Sequence, residues 1–212
     1  MEDRDTAGLY LEMTDTPVDA YTAERVAGLL GAPGVTRATW WANVRRDRDD
    51  LPRVLPEFDL LAAYEVEDGF AAPEPRSGIQ GHHFRRTPRP GQGRLTGRPT
   101  IGLSLVLISP RQLGRAQELR DWGDFVHLRH IAEVAVPGYT MITPYERVGG
   151  GDPRYLHWYE MDTDDPEAAF QAMTPLVRER LDDPDAFQAW AWHDALRIMY
   201  VNSFRLLGEH AA

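Results

Sequence analysis

The feature that most constrains the fold of this chain is an internal repeat. Three short patterns recur in the same order in the two halves: GLYL at 8–11 and GLSL at 102–105, APGVT at 32–36 and VPGYT at 136–140, LAAYEV at 61–66 and LHWYEM at 156–161. Ordered matches with unequal spacing between them indicate a duplicated unit. At 212 residues the chain is long enough for two such units and a sizeable core.

Both copies predict a similar series of elements. Apolar runs of strand length occur at 8–14, 35–44, 58–66 and 79–86 in the first copy, and at 101–108, 139–148, 154–162 and 197–206 in the second. Apolar positions at helical spacing predict helices at 19–30, 113–134 and 165–181. The first copy shows no clear second helix between Val66 and Ile79, so we expect it to be degenerate there.

This order, β-α-β-β-α-β, is the ferredoxin-like unit, which leaves one face of its antiparallel sheet bare. Two units can bury these faces against each other. We therefore predict an α+β fold in which tandem ferredoxin-like repeats form a pseudo-dimeric α/β barrel with a cavity between the sheets. Residues 1–70 would form the first repeat, with its last strand at about 79–86, residues 71–100 a connector, and residues 101–212 the second repeat.

The connector differs in composition from the rest of the chain. It holds five prolines, five glycines and six arginines against one acidic residue, Glu74, so its net charge is +5, whereas the whole chain carries −10. No aromatic interleaving or nucleic-acid motif accompanies these arginines. We expect a solvated loop that packs on the acidic body, and no nucleic-acid partner.

Two residue types are missing from the chain, and their absence removes whole classes of chemistry. There is no cysteine, and all 23 basic residues other than histidine are arginines. Thiolate nucleophiles, disulfides, iron–sulfur clusters, Schiff-base lysines and P-loops are therefore excluded. The acidic N-terminus and the lack of a long apolar run predict a cytoplasmic protein without membrane contact.

Several motifs of the second copy resemble those of the dimeric α/β-barrel superfamily, especially its EthD-like members. These motifs are a helix with Trp122 and His130, the VPGY segment at 136–139, and the YLHWYE strand at 155–160. The resemblance implies the barrel fold, in a superfamily that includes lactone isomerases, polyketide cyclases, cofactor-independent monooxygenases and haem enzymes. The family histidine is commonly followed after one residue by proline, whereas Ile131 and Ala132 follow His130 here, and His127 precedes it.

Candidate acid–base residues lie on the predicted helix of the second copy. Asp124, His127, His130 and Glu133 are spaced by three residues. Such a row drifts by roughly 60° per step around a helix, so only neighbouring members can act at one point. A mixed helix surface, a general acid–base pair and a metal site are all compatible with this row, and without a third nearby ligand we predict no metal.

Strand alternation supplies two further sets of candidates. Either Trp158 and Glu160 face the cavity, where Glu65 would join them from the repeat-related position, or His157 and Tyr159 do. If the two carboxyl groups share an apolar chamber, at least one pKa should rise.

In the first strand we expect Leu9, Leu11 and Met13 to face the helices and Tyr10 and Glu12 to face the cavity. The adjacent His82 and His83 must point to opposite faces of their strand.

These residues lead to a hypothesis of a cofactor-independent isomerase, cyclase or lyase acting on a hydrophobic, lactone-like or aromatic polyketide-like molecule. His130 or His127 would be the base, and Glu160 or Glu12 with Tyr145 or Tyr159 would hold the enolate. Trp122, Trp158, Trp41 and Tyr10 would contact the substrate.

Two other classes of function stay open. One is a haem enzyme with His127, His130 or His157 as axial ligand, and the other is a non-catalytic small-molecule binder. A homodimer of whole chains is compatible with each hypothesis.

Overall fold

The computed structural model describes residues 7–74 and 76–211. Within these ranges the strands are β1 Gly8–Thr14, β2 Val35–Asn43, β3 Leu60–Val66, β4 Ile79–Arg86, β5 Gln92–Gly93, β6 Gly102–Pro110, β7 Tyr139–Arg147, β8 Tyr155–Met161 and β9 Leu196–Ala211. They form one sheet in the order β4-β1-β3-β2-β9-β6-β8-β7-β5, and β4 also pairs with β7. Eight antiparallel strands thus close into a barrel, and the short β5 lies against the free part of β7.

Four helices pack on the outside of the barrel. Helix α1 is continuous and consists of the segments Val18–Tyr21, Thr22–Val26 and Ala27–Leu30. Helix α2 is also continuous and consists of Leu113–Arg115, Ala116–Trp122, Gly123–His127 and Leu128–Glu133. Helix α3 is Pro166–Leu181 and α4 is Pro184–Ala191. The third segment of α2 and the second of α1 are π-helical, so both halves carry this irregularity at a corresponding place. No membrane-crossing helix occurs among the described residues, since none is long and apolar enough.

Local sequence signals account for the start of α3 and α4. In each, an aspartate precedes a proline at the first helical position, and the aspartate side chain accepts a hydrogen bond from a backbone N–H two or three residues later. Asp165 accepts from Ala168 and Asp183 accepts from Asp185, both at 3.0 Å. Capping by a side-chain oxygen and proline at this position both favour helix initiation. As expected, the described residues between β3 and β4 contain no helix.

The strand order is the same in both halves. Numbering the four barrel strands of each half along the chain gives 4-1-3-2 in the first half, from β4 to β2, and 4-1-3-2 again in the second, from β9 to β7. The halves join through β2 with β9 and through β4 with β7. The expected α+β barrel is therefore present.

The structure reverses the expected faces of the first strand. Leu9, Leu11 and Met13 point into the barrel, where they belong to one apolar cluster that draws side chains from all eight barrel strands. Tyr10 instead packs beneath α1 with Tyr21 and Tyr64. Leu9, Leu11 and Met13 face inward because both halves of the sheet bury their inner faces in the barrel. Tyr10 and Glu12 face α1, which supplies polar partners for them.

Candidate functional site

One group of polar side chains lies at one end of the barrel interior. We call it the carboxylate mouth, and it is formed by Glu65, Glu160, Arg37, Thr100 and Tyr145. Glu65 lies near the end of β3 and Glu160 near the end of β8, the repeat-related positions. Arg37 Nη1 is 2.8 Å from Glu65 Oε1, and the second guanidinium nitrogen of Arg37 contacts Glu209. Thr100 Oγ1 donates to Glu160 Oε1 at 3.3 Å. Of the two alternatives for β8, the structure therefore points Trp158 and Glu160 inward.

The environment of Glu160 favours its protonated form. Burial raises the pKa of its carboxyl group, and the negative charge of Glu65 raises it further, against the hydrogen bond from Thr100 and the charges of Arg37 and Arg86. Burial and then the charge of Glu160 also raise the pKa of the Tyr145 phenol, which keeps that hydroxyl protonated. Carboxyl groups with raised pKa values are suited to proton transfer near neutral pH.

Below the mouth the barrel is filled by apolar side chains. Trp41 and Trp158, one from each half, meet edge to face with ring centroids 6.2 Å apart. The indole N–H of Trp41 donates to Thr39 Oγ1 at 2.9 Å, so its polar group is satisfied. Leu105 and Leu107 are fully buried beside them. The expected chamber is thus a packed core with a polar end.

His127 lies between α2 and α4 and does not face the barrel interior. Its ring stacks on Trp190 at 5.1 Å with an interplanar angle of 10° and contacts Trp122 at 5.0 Å. Nδ1 donates to the carbonyl oxygen of Trp190 at 3.0 Å, and the Trp190 indole N–H donates back to the His127 carbonyl at 3.0 Å. Burial lowers the pKa of His127 to about 4. These contacts join two helices.

The other members of the helix row are also separated from the mouth. His130 is half-buried with Nδ1 3.5 Å from Glu133 Oε2, and Glu133 also pairs with Arg129 and Arg180. Asp124 is buried and pairs with Arg89 at 2.7 Å. The row therefore does not converge on one point. Among the described residues, no group of three or more potential ligands is placed to hold a metal ion.

His157 and Tyr159 lie on the outer face of β8, under the helices. The His157 ring fits against Gly123, where a side-chain carbon would lie only 3.2 Å from its Cε1. Burial lowers the pKa of His157 to about 3. Burial also raises the pKa of the Tyr159 phenol, beside Tyr139. Neither side chain reaches the carboxylate mouth.

Glu12, expected in the cavity, is the centre of a buried network under α1. Arg25 Nε donates to Glu12 Oε2 at 2.9 Å, and the hydroxyls of Tyr10 and Tyr21 donate to the two carboxylate oxygens at 3.0 and 2.6 Å. Tyr21 and Tyr64 are joined by a hydrogen bond of 2.7 Å. Every oxygen of the carboxylate is satisfied within the protein. Tyr10 and Glu12 therefore connect β1 to α1, and they do not face the barrel interior.

Of the adjacent His82 and His83, His82 is the one that faces the barrel interior. It is 8% exposed, and neither ring nitrogen has a hydrogen-bond partner among the described residues. Burial, and then the charge of Arg147, lower its pKa to about 4. His83 points to the outer face and meets Phe70 edge to face, so the expected split of the two histidines is observed.

Comparison with known proteins gives a fold and no closer relationship. No protein-family model and no curated protein matches the sequence. Among solved structures, an anthrone oxidase-like protein is similar at 12% identity, covering 98% of this chain and 94% of that chain with a TM-score of 0.58. A putative monooxygenase from Fusobacterium nucleatum is similar at 6% identity, covering 96% and 94% with a TM-score of 0.53.

A third similar structure has a different kind of title, a major regulator of staphylococcal pathogenesis. It is 9% identical, covering 95% of this chain and 99% of that chain with a TM-score of 0.51. At such identities the similarity concerns the fold alone, and proteins of one fold carry many functions. The comparisons do not single out the EthD-like members. The chain has the dimeric α/β-barrel fold.

Proposed function

We propose that this protein is a small-molecule enzyme that transfers a proton at the carboxylate mouth, with Glu160 as the acid–base group. The observation that carries the proposal is that the charge of Glu65 acts on the buried carboxyl group of Glu160 at one end of a barrel whose core is mainly apolar. Two carboxyl groups in such a setting do not both ionise readily, so one holds a proton that it can exchange.

The remaining groups of the mouth fit the same chemistry. Arg37 lies beside Glu65, and the charges of Arg37 and Arg86 reach Glu160, so an enolate or phenolate formed there would be stabilised. Tyr145 supplies a protonated phenol below them. Trp158 and Trp41 offer apolar surface to a flat substrate. We propose a hydrophobic substrate with an acidic C–H or phenolic O–H, and isomerisation, cyclisation or elimination as the outcome.

We also propose that the chain arose as a tandem duplication of a ferredoxin-like unit. The shared strand order, the repeated π-helical segment and the equivalent positions of Glu65 and Glu160 support this origin. Equivalent positions of the two halves then carry different side chains, since Glu12 in β1 corresponds to Val106 in β6.

The haem alternative does not fit the histidines named for it. The Nδ1–H of His127 donates to the Trp190 carbonyl, its ring contacts the rings of Trp122 and Trp190, and His157 is packed against Gly123. His130 Nδ1 faces Glu133, whose carboxylate already takes two arginines. An axial ligand needs a ring nitrogen that faces the iron. Haem therefore has no part in the proposed reaction.

Exchange of substrate protons with heavy water tests the proposal without knowledge of the product. Anthrone, an arylacetone and a five-membered unsaturated lactone are incubated with the protein in deuterated buffer without oxygen, and loss of the acidic C–H signal is followed by proton NMR. We expect the wild type to accelerate exchange of at least one compound. Glu160→Gln should lower that rate by about 100-fold or more, since general acid–base catalysis contributes on this order.

Matched variants separate the mouth from the helix row. His130→Gln and Glu133→Gln should leave the exchange rate within about twofold of the wild type, because neither side chain reaches the mouth. If Glu160→Gln exchanges as fast as the wild type while His130→Gln is slow, the base is on the helix and our assignment is wrong. If the wild type accelerates no compound of a wider panel that it binds, it is a binding protein.

Oxygenation is a second candidate outcome at the same mouth. It is favoured by two of the similar structures, whose titles are anthrone oxidase-like protein and putative monooxygenase. A carbanion made by proton removal at Glu160 could be oxidised by molecular oxygen without a cofactor. Oxygen uptake with anthrone, absent in Glu160→Gln, would support this outcome, and proton exchange without uptake would exclude it for that substrate.

A further inference from the structure

A cavity lies outside the barrel, under the connector that joins the halves. We call it the strap cleft. It has a volume of about 470 Å³ and lies between connector residues 92–98, the C-terminal end of α2 and the start of β7. This volume falls within the roughly 300–1,000 Å³ typical of small-molecule sites.

The connector is fixed in place over this cleft by specific contacts. Arg89 pairs with Asp121 and Asp124 at 2.6 and 2.7 Å, and the Gln92 side-chain amide donates to the Asp124 carbonyl at 2.6 Å. Gly93 adopts φ +149°, and a side-chain carbon there would lie 2.3 Å from the Thr140 carbonyl oxygen. Only glycine allows so close an approach to β7, so the strap is held against the sheet.

The lining of the cleft combines apolar and basic side chains. Its accessible apolar surface comes from the exposed Leu95 and the partly exposed Met141. Arg94 and Arg98 lie on the strap side, both exposed. Arg98 reaches Asp162 at 3.8 Å, while the Arg94 side chain makes no ion pair within the described part of the chain. The cleft thus combines a small apolar surface with two arginines, one of them without a carboxylate.

We propose that the strap cleft binds an amphipathic organic anion, an apolar body carrying one carboxylate or sulfonate group. The body would cover Leu95 and Met141, and the anionic group would lie between Arg94 and Arg98, whose guanidinium groups match it in charge and geometry. The chain as a whole carries −10, which repels anions elsewhere. Of the connector arginines, Arg94 and Arg98 line the cavity and place positive charge there.

The cleft adjoins the carboxylate mouth. Met141 lines the cleft and pairs across the strands with Glu160. Thr100, which donates to Glu160, follows Arg98 by two residues. A bound anion would thus lie beside the mouth, yet its binding does not require any chemistry at Glu160.

Fluorescence titration with 8-anilinonaphthalene-1-sulfonate tests the proposal. The matched neutral probe is N-phenyl-1-naphthylamine, which has the same ring system without the sulfonate. We expect the sulfonate to bind with one equivalent per chain, at least tenfold more tightly than the neutral probe, and more weakly as salt is added. Arg94→Ala/Arg98→Ala should lower sulfonate affinity about tenfold and leave neutral-probe affinity unchanged.

Further variants distinguish the cleft from other apolar surface. Ala132→Trp places a large ring in the cleft from α2 and should abolish binding of both probes, whereas Arg205→Ala, an exposed arginine on β9, should change neither. Far-ultraviolet circular dichroism checks that each variant is folded. Glu160→Gln should bind as the wild type does, so loss of proton exchange and loss of probe binding are separate results.

Two outcomes would overturn the proposal. One is sulfonate affinity in Arg94→Ala/Arg98→Ala equal to that of the wild type, which would mean that the arginines do not take part. The other is full binding in Ala132→Trp, which would place the probe elsewhere on the molecule.

Discussion

At the scale of single residues, His82 is a buried polar side chain without a partner in the described structure. Its ring is buried against Phe84 with no hydrogen bond in the described structure, and its pKa is lowered to about 4 by burial and by Arg147. In the unfolded chain a histidine titrates near pH 6.5. Below that pH the unfolded state takes up a proton that folded His82 refuses until about pH 4. His82 therefore makes stability fall as the pH drops from about 6.5 to about 4.

We expect His82→Leu to flatten this part of the pH dependence. At neutral pH its free energy of unfolding should equal or exceed that of the wild type, since an unpartnered polar group leaves an apolar site. Urea unfolding at several pH values between about 7 and about 4.5 measures both effects. His210→Leu, at an exposed position, is the control. A pH dependence as steep in His82→Leu as in the wild type would show that His82 is not a source of it.

Single residues also show where sequence reasoning stops. Alternation correctly separates Leu9, Leu11 and Met13 from Tyr10 and Glu12, because the period of a strand is two. Alternation does not say which of the two sets faces inward. The polarity of Tyr10 and Glu12 suggests that they face the cavity, which is wrong. Glu12 is buried under α1 because Arg25 and two tyrosines satisfy it there, and Arg25 was one charge among many in the sequence. For Glu160 the same alternation left two choices, and one of them is observed.

At the scale of elements, the segment between β2 and β3 closes the end of the barrel opposite the carboxylate mouth. The backbone N–H groups of Val54 and Leu55 donate to the Met199 carbonyl at 2.9 and 3.0 Å, and Phe58 stacks on Tyr200 at 4.8 Å. Arg48 connects the segment to α3, because its side chain pairs with Glu167 and its guanidinium carbon lies 4.5 Å from the centroid of the Phe170 ring. The Arg48 side chain is only 1% exposed.

Arg48→Ala should free this segment. Removing one partner of a buried ion pair costs about 3–5 kcal/mol, and because Glu167 keeps some solvent contact we expect about 2–3 kcal/mol here. Hydrogen exchange at residues 45–59 should rise with it. Arg46→Ala, which removes exposed pairs with Asp15 and Asp59, should change the free energy of unfolding much less than Arg48→Ala does. Equal losses in the two variants would refute the role given to Arg48.

The elements differ in how far the sequence predicts them. Long apolar runs predicted β1, β6 and β8 within a residue or two of their ends. Helix α4 was not predicted, although Asp183 and Pro184 repeat the start signal of α3. Strand β5 carries no such signal, because Gln92 and Gly93 have low β-propensity and pair with β7 only through the conformation of Gly93.

At the scale of the whole molecule, the two halves share one interior. The same apolar cluster contains Leu11 from the first half and Leu105 from the second, and both side chains are fully buried. The sheet is continuous at both junctions, β2 with β9 and β4 with β7. The repeat in the sequence predicted two units. It could not show that the inner faces of both halves share one cluster, in addition to the clusters that each half forms under its own helices.

This shared core predicts a single unfolding transition for the whole chain. Leu11→Ala and Leu105→Ala each remove a buried side chain from the common cluster and should each cost about 2–5 kcal/mol. Both variants should lower the midpoint of the same single calorimetric peak, with calorimetric and van't Hoff enthalpies that agree. If the halves unfolded independently, Leu11→Ala would instead split the peak and leave an unshifted component from the second half, and the barrel would have to be treated as two separate folding units.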